Sequence, residues 1–347
     1  MRAAVVRSTG PAEAMAIENV PVPERRRHDV LIKVEACGVC FHDVVTRNGT
    51  MKRGVELPFI PGHEVSGEIV DVGPGVTQFK VGDRVATAQR RHICGHCRHC
   101  RTGRETSCEE REFLGDAGLN GGYAEFVCVE EDNVALVPPG VALDEASIVA
   151  CAIGTELNAI RDVAKVRPGE RVLVSGAGGG LGIHGIQLAR LAGGIVIGVT
   201  TSPDKAQAIR DAGAHHVVLA ARGGDFSREV MDVTDGNGVD VVIDNVGSVL
   251  FQPTRRSLAM GARWVFIGQL TGDFVQLNPA QIFMRDITIM SAKSTSREQL
   301  RDALDLVAQG LVRPVVLDRL PLEAACRAHE LMEAGRTTGR ILLKPGL

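Results

Sequence analysis

The stretch that decides the fold is Arg171-Val172-Leu173-Val174-Ser175-Gly176-Ala177-Gly178-Gly179-Gly180-Leu181-Gly182. Its opening apolar run, with Val172 and Val174, reads as a buried strand. Five glycines then fall within seven residues, and beyond them Leu181, Gly185, Leu188 and Leu191/Ala192 recur at helical spacing. Strand, tight glycine turn and helix open a unit that binds a dinucleotide pyrophosphate. Helix N-terminal amides and the positive end of the helix dipole face the phosphates, and only glycine lets backbone and ligand come that close. The spacing departs from G-x-G-x-x-G: counted from Gly176, Leu181 stands where the last glycine belongs. A strict match at Gly180, Gly182 and Gly185 begins too far past the strand. The working turn is therefore read as Gly176, Gly179, Gly180, Leu181 and Gly182. The alternative is a glycine-rich turn that binds nothing.

Working outward, residues 195–199 form a second buried strand and are followed by Thr200-Thr201-Ser202-Pro203-Asp204-Lys205. Further strands are expected over 217–219, 239–243, 263–267 and 287–290, with helices between them, one over 206–212. That alternation predicts an α/β unit with a doubly wound parallel sheet. Asn245, Val246 and Gly247 close one strand, and Ile267, Gly268 and Gln269 the next, at carboxyl edges where ligands bind. A dinucleotide unit selective for NAD places an acid at the end of its second strand; here the position is Thr200. An anionic 2′-phosphate meets no carboxylate there, and Thr201, Ser202 and Lys205 can donate to it, so NADP(H) is favoured over NAD(H). The competing reading makes Ser202 and Pro203 an ordinary helix cap.

The first 150 residues have another character. Strands over 3–6, 29–34, 64–72, 84–86 and 122–127, with turns at 73–75 and 81–83, predict a β-rich barrel- or sandwich-like domain. After residue 296, Leu300, Ala303/Leu304, Val307 and Leu311 mark an amphipathic helix, and strands over 315–317 and 340–343 return to close the β domain. The expected division is 1–151, 152–293 and 294–347. A chain of 347 residues suits two domains, and a net charge of −3 calls for no nucleic-acid partner. Neither a secretory leader nor an apolar run of about 18 residues is present, so no membrane partner and a cytoplasmic setting are expected. Nine cysteines in such a chain read as ligands rather than disulfides.

Four of them, Cys94, Cys97, Cys100 and Cys108, sit in one loop, 90–110. Thiolates this close converge on one tetrahedral zinc and, being four, close it to water, which makes the site structural. An iron–sulfur cluster or unliganded buried thiols are the alternatives. Arg90, Arg91, Arg98, Arg101 and Arg104 are placed to offset thiolate charge, and His92, His96 and His99 read as loop residues. Cys40, the pair His63-Glu64, and Cys151 are dispersed, and spacing alone does not join them.

Cys37-Gly38-Val39-Cys40-Phe41-His42-Asp43, Gly62-His63-Glu64, the four-cysteine loop and the glycine turn follow one another in an order that resembles the zinc-containing alcohol dehydrogenases of the medium-chain dehydrogenase/reductase superfamily. Val81-Gly82-Asp83-Arg84-Val85, Gly121-Gly122-Tyr123-Ala124-Glu125 and Gly339-Arg340-Ile341-Leu342 extend the likeness over essentially the whole chain. The resemblance implies a GroES-like catalytic domain with a Rossmann domain inserted near its C-terminus. It implies two zinc ions per chain, one catalytic, held by Cys40, His63 and Cys151. Glu64 would be an adjacent carboxylate, Asp43 the carboxylate that fixes the tautomer of the zinc histidine, and Thr155 a neighbour of the nicotinamide. Asn245, Val246, Ile267, Gly268 and Gln269 would contact the nicotinamide side, Arg340 the pyrophosphate, and a homodimer or homotetramer would form through the last Rossmann strand.

The departures from that family concern the proton path. His42 stands where Ser or Thr usually passes the alcohol proton, and Val45 where a second relay histidine is common. Either His42 takes the acid–base role or it only shapes the pocket. By position, Phe41, Leu57, Gln89 and Gln269 would join it there. The expected activity is hydride transfer between a nicotinamide cofactor and a small alcohol, aldehyde or ketone. The alternatives are reduction of an activated C=C bond, as in an acryloyl-CoA or enone reductase, and a non-enzymatic structural role.

Overall fold

The strand at the head of the glycine turn runs over Arg171–Val174, and helix Gly182–Leu191 follows the turn. The computed structural model of the chain describes residues 1–52, 54–221 and 223–347. Its contacts divide the chain into two units, Met1–Gly154 with Ser294–Leu347, and Thr155–Lys293.

In the second unit that strand lies inside a six-stranded sheet. The order is His216–Leu219, Ile195–Thr200, Arg171–Val174, Val239–Asp244, Leu258–Phe266, Thr288–Ser291, and every neighbouring pair is parallel. This is the doubly wound order, in which the chain reverses beside its first strand and leaves a ligand crevice at the carboxyl ends. Val172, Leu173, Val174, Val241, Val242 and Ile243 are wholly buried, the near-continuous apolar runs of a parallel sheet. Trp264 stacks against Phe251 and Phe266 with centroids 4.8 and 4.7 Å away, and its indole N–H donates to Asp244 Oδ2 at 3.0 Å.

The first unit carries a seven-stranded sheet. Six strands run in the order Val134–Leu136, Arg84–Thr87, Glu64–Val72, Asp29–Gly38, Arg340–Lys344, Val316–Pro321, and Phe126–Glu130 pairs with Asp29–Gly38 as the seventh. A four-stranded sheet joins Met15–Asn19, Arg2–Val6, Glu56–Phe59 and Ala117–Gly118. Val30, Ile32, Val65, Ile69 and Val85 fill the core between them with Val5 and Phe59. Register then positions the chemistry. Gly38 lies opposite Glu64 on one side and Leu342 on the other, so Cys40, Glu64 and Arg340 arrive at the same end of the sheet. Glycine is required at 38, because a Cβ there would come within 2.3 Å of Glu64 Oε2.

Two expectations shift, and one feature was not foreseen. The strand expected over 122–127 forms only from Phe126, because Gly122 N–H donates to Gly62 O at 2.8 Å and Tyr123 N–H to Pro61 O at 2.9 Å. The first half of that stretch thus braces the turn before His63. The strand expected over 263–267 begins five residues earlier, at Leu258. Residues Val149–Gly154 and Asn158–Val163 wind into wide π-type turns, an irregularity that propensity does not encode and that recurs at functional sites.

Candidate active site and metal centres

Cys40 is the N-cap of helix Phe41–Arg47, and Asp43, at the helix's third position, accepts the Cys40 amide at 2.9 Å. His63 follows a Pro61-Gly62 turn. Gly62 has φ +102°, and a Cβ on it would meet the Tyr123 ring at 2.6 Å and Cys37 Sγ at 2.7 Å. Cys151 sits on the wide turn Val149–Gly154. From these three elements and the strand that begins at Glu64, the donor atoms of Cys40, His63, Glu64 and Cys151 converge within 4.8 Å of one another, all buried.

The donor set fits a zinc ion. The two sulfurs are 3.9 Å apart, and tetrahedral bonds of about 2.3 Å set sulfurs about 3.8 Å apart. Asp43 Oδ1 lies 3.1 Å from His63 Nδ1, so that nitrogen carries the proton and Nε2 keeps its lone pair for a metal. Asp43 also accepts from Gly62 N–H at 3.2 Å and Tyr123 O–H at 3.2 Å, and Tyr123 lies 3.1 Å from His329 Nε2. Burial disfavours the charge of Asp43, and His63 outweighs it, so its pKa is lowered.

Arg340 has a place that the sequence reading did not give it. It is buried, ion-paired with Glu64 Oε1 at 2.8 Å, and its Nη2 lies 3.5 Å from Cys40 Sγ and 3.7 Å from Cys151 Sγ. Burial pushes Glu64 up to about 7 against the pull of this guanidinium. Cys40 is held well below the usual thiol range, first by its hydrogen bond with Cys151 and further by Arg340 and His63.

His42 Nε2 lies 2.7 Å from Asp116 Oδ1, and its ring contacts those of His63 and Phe113 at centroid distances of 5.1 and 4.8 Å. Burial opposes its charged form, Asp116 outweighs burial, and the pKa is raised. Asp116 and Phe113 were missed from the sequence. They lie more than 70 residues from His42 on a segment without a motif.

The sulfurs of Cys94, Cys97, Cys100 and Cys108 also converge within 4.8 Å, with Cys94–Cys108 at 3.6 Å and Cys94–Cys100 at 4.0 Å. Backbone amides, more than the neighbouring arginines, meet this charge. Cys97 N–H donates to Cys94 Sγ at 3.3 Å and Cys94 N–H to Cys108 Sγ at 3.4 Å. The Cys100 amide pulls Cys97 down to about 6. The expected role of the arginines is corrected for two of them: Arg91 faces Asp29 and Glu112, and Arg98 donates to His99.

In the second unit, Gly176 has φ +61°, and a Cβ on Gly182 would meet Gly176 O at 2.3 Å. No side chain caps the helix that Leu181 opens; in its first turn the Ile183 amide donates to Gly179 O at 3.1 Å and the His184 amide to Leu181 O at 3.0 Å. Thr200 is buried and accepts the Ser202 amide at 3.2 Å. Ser202 is the N-cap of the turn Pro203–Lys205 with Pro203 next to it, as the competing reading has it, although its side chain makes no cap hydrogen bond. The stem of Lys205 crosses the glycine turn: a Cβ on Gly178 would meet Lys205 Cδ at 2.6 Å. Asn245 and Val246 are buried at a strand end held by Asp244, which accepts from Ser175 Oγ at 2.8 Å and from the Val246 and Gly247 amides at 3.1 and 3.0 Å. Gly268 is packed on the Asn245 carbonyl, 2.3 Å from where its Cβ would be. Ile267 donates its amide to Asp244 O at 2.9 Å. Gln269 uses its side chain on Ser248 and the Asp273 carbonyl rather than on a pocket. Thr155 is buried at the start of this unit.

A buried sulfur–imidazole donor set that fits a metal and a doubly wound sheet with a glycine turn are the parts of a metal-dependent, nicotinamide-linked oxidoreductase. The family description "Alcohol dehydrogenase GroES-like domain" matches residues 26–139, and "Zinc-binding dehydrogenase" matches residues 180–309. Acryloyl-coenzyme A reductase of Sulfurisphaera tokodaii is 33% identical over 99% of this chain and 100% of its own length. An alcohol dehydrogenase of Geobacillus stearothermophilus is 34% identical over 99% of both chains. The crystal structure of AibC superposes with a TM-score of 0.91 at 43% identity, covering 99% of this chain and 95% of that one. The chain belongs to the zinc-binding alcohol dehydrogenases of the medium-chain dehydrogenase/reductase superfamily, and it is an oxidoreductase that uses zinc and a nicotinamide cofactor.

Proposed function

We propose that this enzyme transfers hydride between NADP(H) and a small alcohol, aldehyde or ketone, with a catalytic zinc held by Cys40, His63 and Cys151 and a structural zinc in the four-cysteine loop. The observation that carries this reading is the buried donor set itself, with its sulfurs 3.9 Å apart and His63 turned by Asp43 to offer Nε2. When bound, zinc supplies Lewis acidity toward the substrate oxygen, and the nicotinamide supplies or receives the hydride. Asp43 keeps His63 in one tautomer. Arg340 balances the negative charge of Glu64 and the two sulfurs, so that the set stays together in a buried site. His42, held by Asp116, is the group assigned to give the substrate oxygen its proton during reduction and to take it back during oxidation. Phe113 lies against both imidazoles.

The absence of an acid at Thr200, the uncommitted Ser202 hydroxyl and the lysine stem over the glycine turn support NADP(H). A kcat/KM ratio in favour of NADH would refute this choice. The reading also includes a homo-oligomer and the reducing cytoplasm, where the nine cysteines stay out of disulfides.

A second reading is favoured by the relative named acryloyl-coenzyme A reductase: reduction of a C=C bond conjugated to a thioester. One experiment separates them. NADPH oxidation is followed over aldehydes, ketones, enones and acryloyl-CoA, with zinc-loaded wild type and with Cys151→Ser. Turnover of a carbonyl that is lost in Cys151→Ser supports the first reading. Turnover of acryloyl-CoA that survives Cys151→Ser establishes the second.

A further inference from the structure

The loop with Cys94, Cys97, Cys100 and Cys108 leaves and rejoins its unit through one ribbon, strands Arg90–His92 and Glu112–Phe113, whose register sets Arg90 opposite Phe113. Phe113 packs on the other donor set, and Arg90 is linked to it through Thr295. The Phe113 ring packs on His63 at 5.1 Å, and three residues on Asp116 holds His42. Arg90 goes the other way. Its fully buried guanidinium donates to the Thr295 carbonyl at 2.7 Å, to Ser294 Oγ at 3.1 Å and to Asn133 Oδ1 at 3.3 Å. The Thr295 hydroxyl in turn donates to the carbonyl of Ala150, the residue before Cys151. Thr295 also fills the space over Gly154, where a Cβ would meet its Cγ2 and Oγ1 at 2.7 Å. Inside the loop, buried Glu105 accepts the Arg297 amide at 2.8 Å. One ribbon thus touches both halves of the donor set, His63 through Phe113 and Cys151 through Arg90 and Thr295.

We propose that the four-cysteine loop, closed by its metal, is a clamp that holds His63 and Cys151 at ligand distance, so that occupancy of the loop sets the metal affinity of the Cys40–His63–Cys151 centre, with Arg90 and Phe113 as its positioning residues. The inference rests on the reading above that both sets bind metal. Its physical basis is the poverty of the loop's own core. Between residues 91 and 110 only Glu105 and Cys108 are buried, so apolar packing does little to offset the entropy of ordering the segment. Metal binding supplies that free energy and restrains the ribbon at the loop's base. The wide turn around Cys151 departs from regular α-helical geometry, and the Thr295 hydroxyl ties it down at the Ala150 carbonyl. The coupling is reciprocal: metal at the catalytic centre tightens the loop site by the same factor.

The test is chelator competition on the full chain, with the affinity of each centre read separately. Wild type is expected to hold two zinc ions. Cys97→Ser combined with Cys100→Ser empties the loop, whereas Arg90→Met and Phe113→Leu keep all four cysteines. Each is expected to weaken the Cys40–His63–Cys151 centre at least tenfold, the range found for outer partners of metal ligands. Phe113→Tyr keeps a ring on His63 and is expected to retain wild-type affinity, a rescue that general destabilisation would not give. Circular dichroism reports folding; if the double serine variant does not fold, Arg90→Met and Phe113→Leu decide. Affinity within twofold of wild type in the folded variants overturns the clamp and leaves the proposed function standing. One zinc per wild-type chain overturns the two-zinc reading and the clamp with it.

Discussion

Asp43 gathers four donors, the amides of Cys40 and Gly62, the imidazole of His63 and the hydroxyl of Tyr123. An asparagine there would turn a donor NH2 toward His63 or leave one of these groups unpaired. In the first case the imidazole proton moves to Nε2, where it blocks the metal. Asp43→Asn is therefore expected to lower zinc affinity at this centre roughly 10–100-fold, measured by chelator competition; unchanged affinity would show that His63 needs no tautomer lock. Behind Asp43, His329 gives a separate, pH-dependent prediction. It titrates at about 4 in the folded chain, because burial disfavours its charged form more strongly than Asp43 favours it, with Arg47 adding to burial. In the unfolded chain it titrates near 6.5. Below about pH 6.5 the unfolded chain takes up a proton that the folded chain refuses, so stability present above that pH is lost as pH falls toward 4, by about 3 kcal/mol. His329→Gln removes this component. In urea unfolding of the metal-free chain between pH 6 and 4.5, wild type should lose about 1 kcal/mol per pH unit more than the variant; equal slopes would refute the burial argument. Asp43 was legible in the sequence because it lies three residues from Cys40 in one motif. Asp116, Phe113 and His329 were not, because each meets the site only through tertiary packing.

At the scale of elements, the glycine turn was legible because its constraint is local. Gly176 needs a left-handed backbone, and Gly182 faces a carbonyl six residues back in the chain. The two are not equally sensitive to a methyl group, nor is every glycine between them. Gly182→Ala would set its Cβ 2.3 Å from Gly176 O and 2.8 Å from Ala177 Cα, backbone atoms that cannot step aside without opening the turn. At Gly179 the nearest contact is Gly176 O at 3.2 Å, which a small shift relieves. NADPH affinity, followed by fluorescence titration, is expected to fall at least tenfold in Gly182→Ala and less than threefold in Gly179→Ala; an equal response would mean that the turn does not shape the pyrophosphate site. The wide turns around Cys151 were opaque for the opposite reason. Val149-Ala150-Cys151-Ala152-Ile153-Gly154 is an ordinary apolar run, and Thr295, whose hydroxyl donates to the Ala150 carbonyl, lies 145 positions after it. The two short strands Met15–Asn19 and Glu56–Phe59 escaped notice because their side chains are mostly polar or exposed.

At the scale of the whole molecule, the last strand of the parallel sheet poses the remaining physical problem. Among the described residues Thr288–Ser291 pairs with Leu258–Phe266 alone, which makes it an edge strand of the sheet. Around the same end of the sheet, Met260, Phe283 and Met284 are 66%, 65% and 70% exposed, and Ile289 on the strand itself is 42% exposed. An open strand edge combined with large apolar side chains is what a monomer avoids and a subunit contact uses. Two copies related by a two-fold axis can pair this edge with itself and cover those side chains at once. The chain is therefore expected to sediment at twice its mass of 36.9 kDa or more. Ile289→Lys with Phe283→Glu places charge on the edge and in the apolar patch. It should shift the molecule to the monomer mass while circular dichroism stays that of wild type, because neither side chain is buried in its own sheet. Wild type sedimenting as a monomer, or the double variant remaining dimeric, would mean that this edge faces water and that the apolar surface has another purpose.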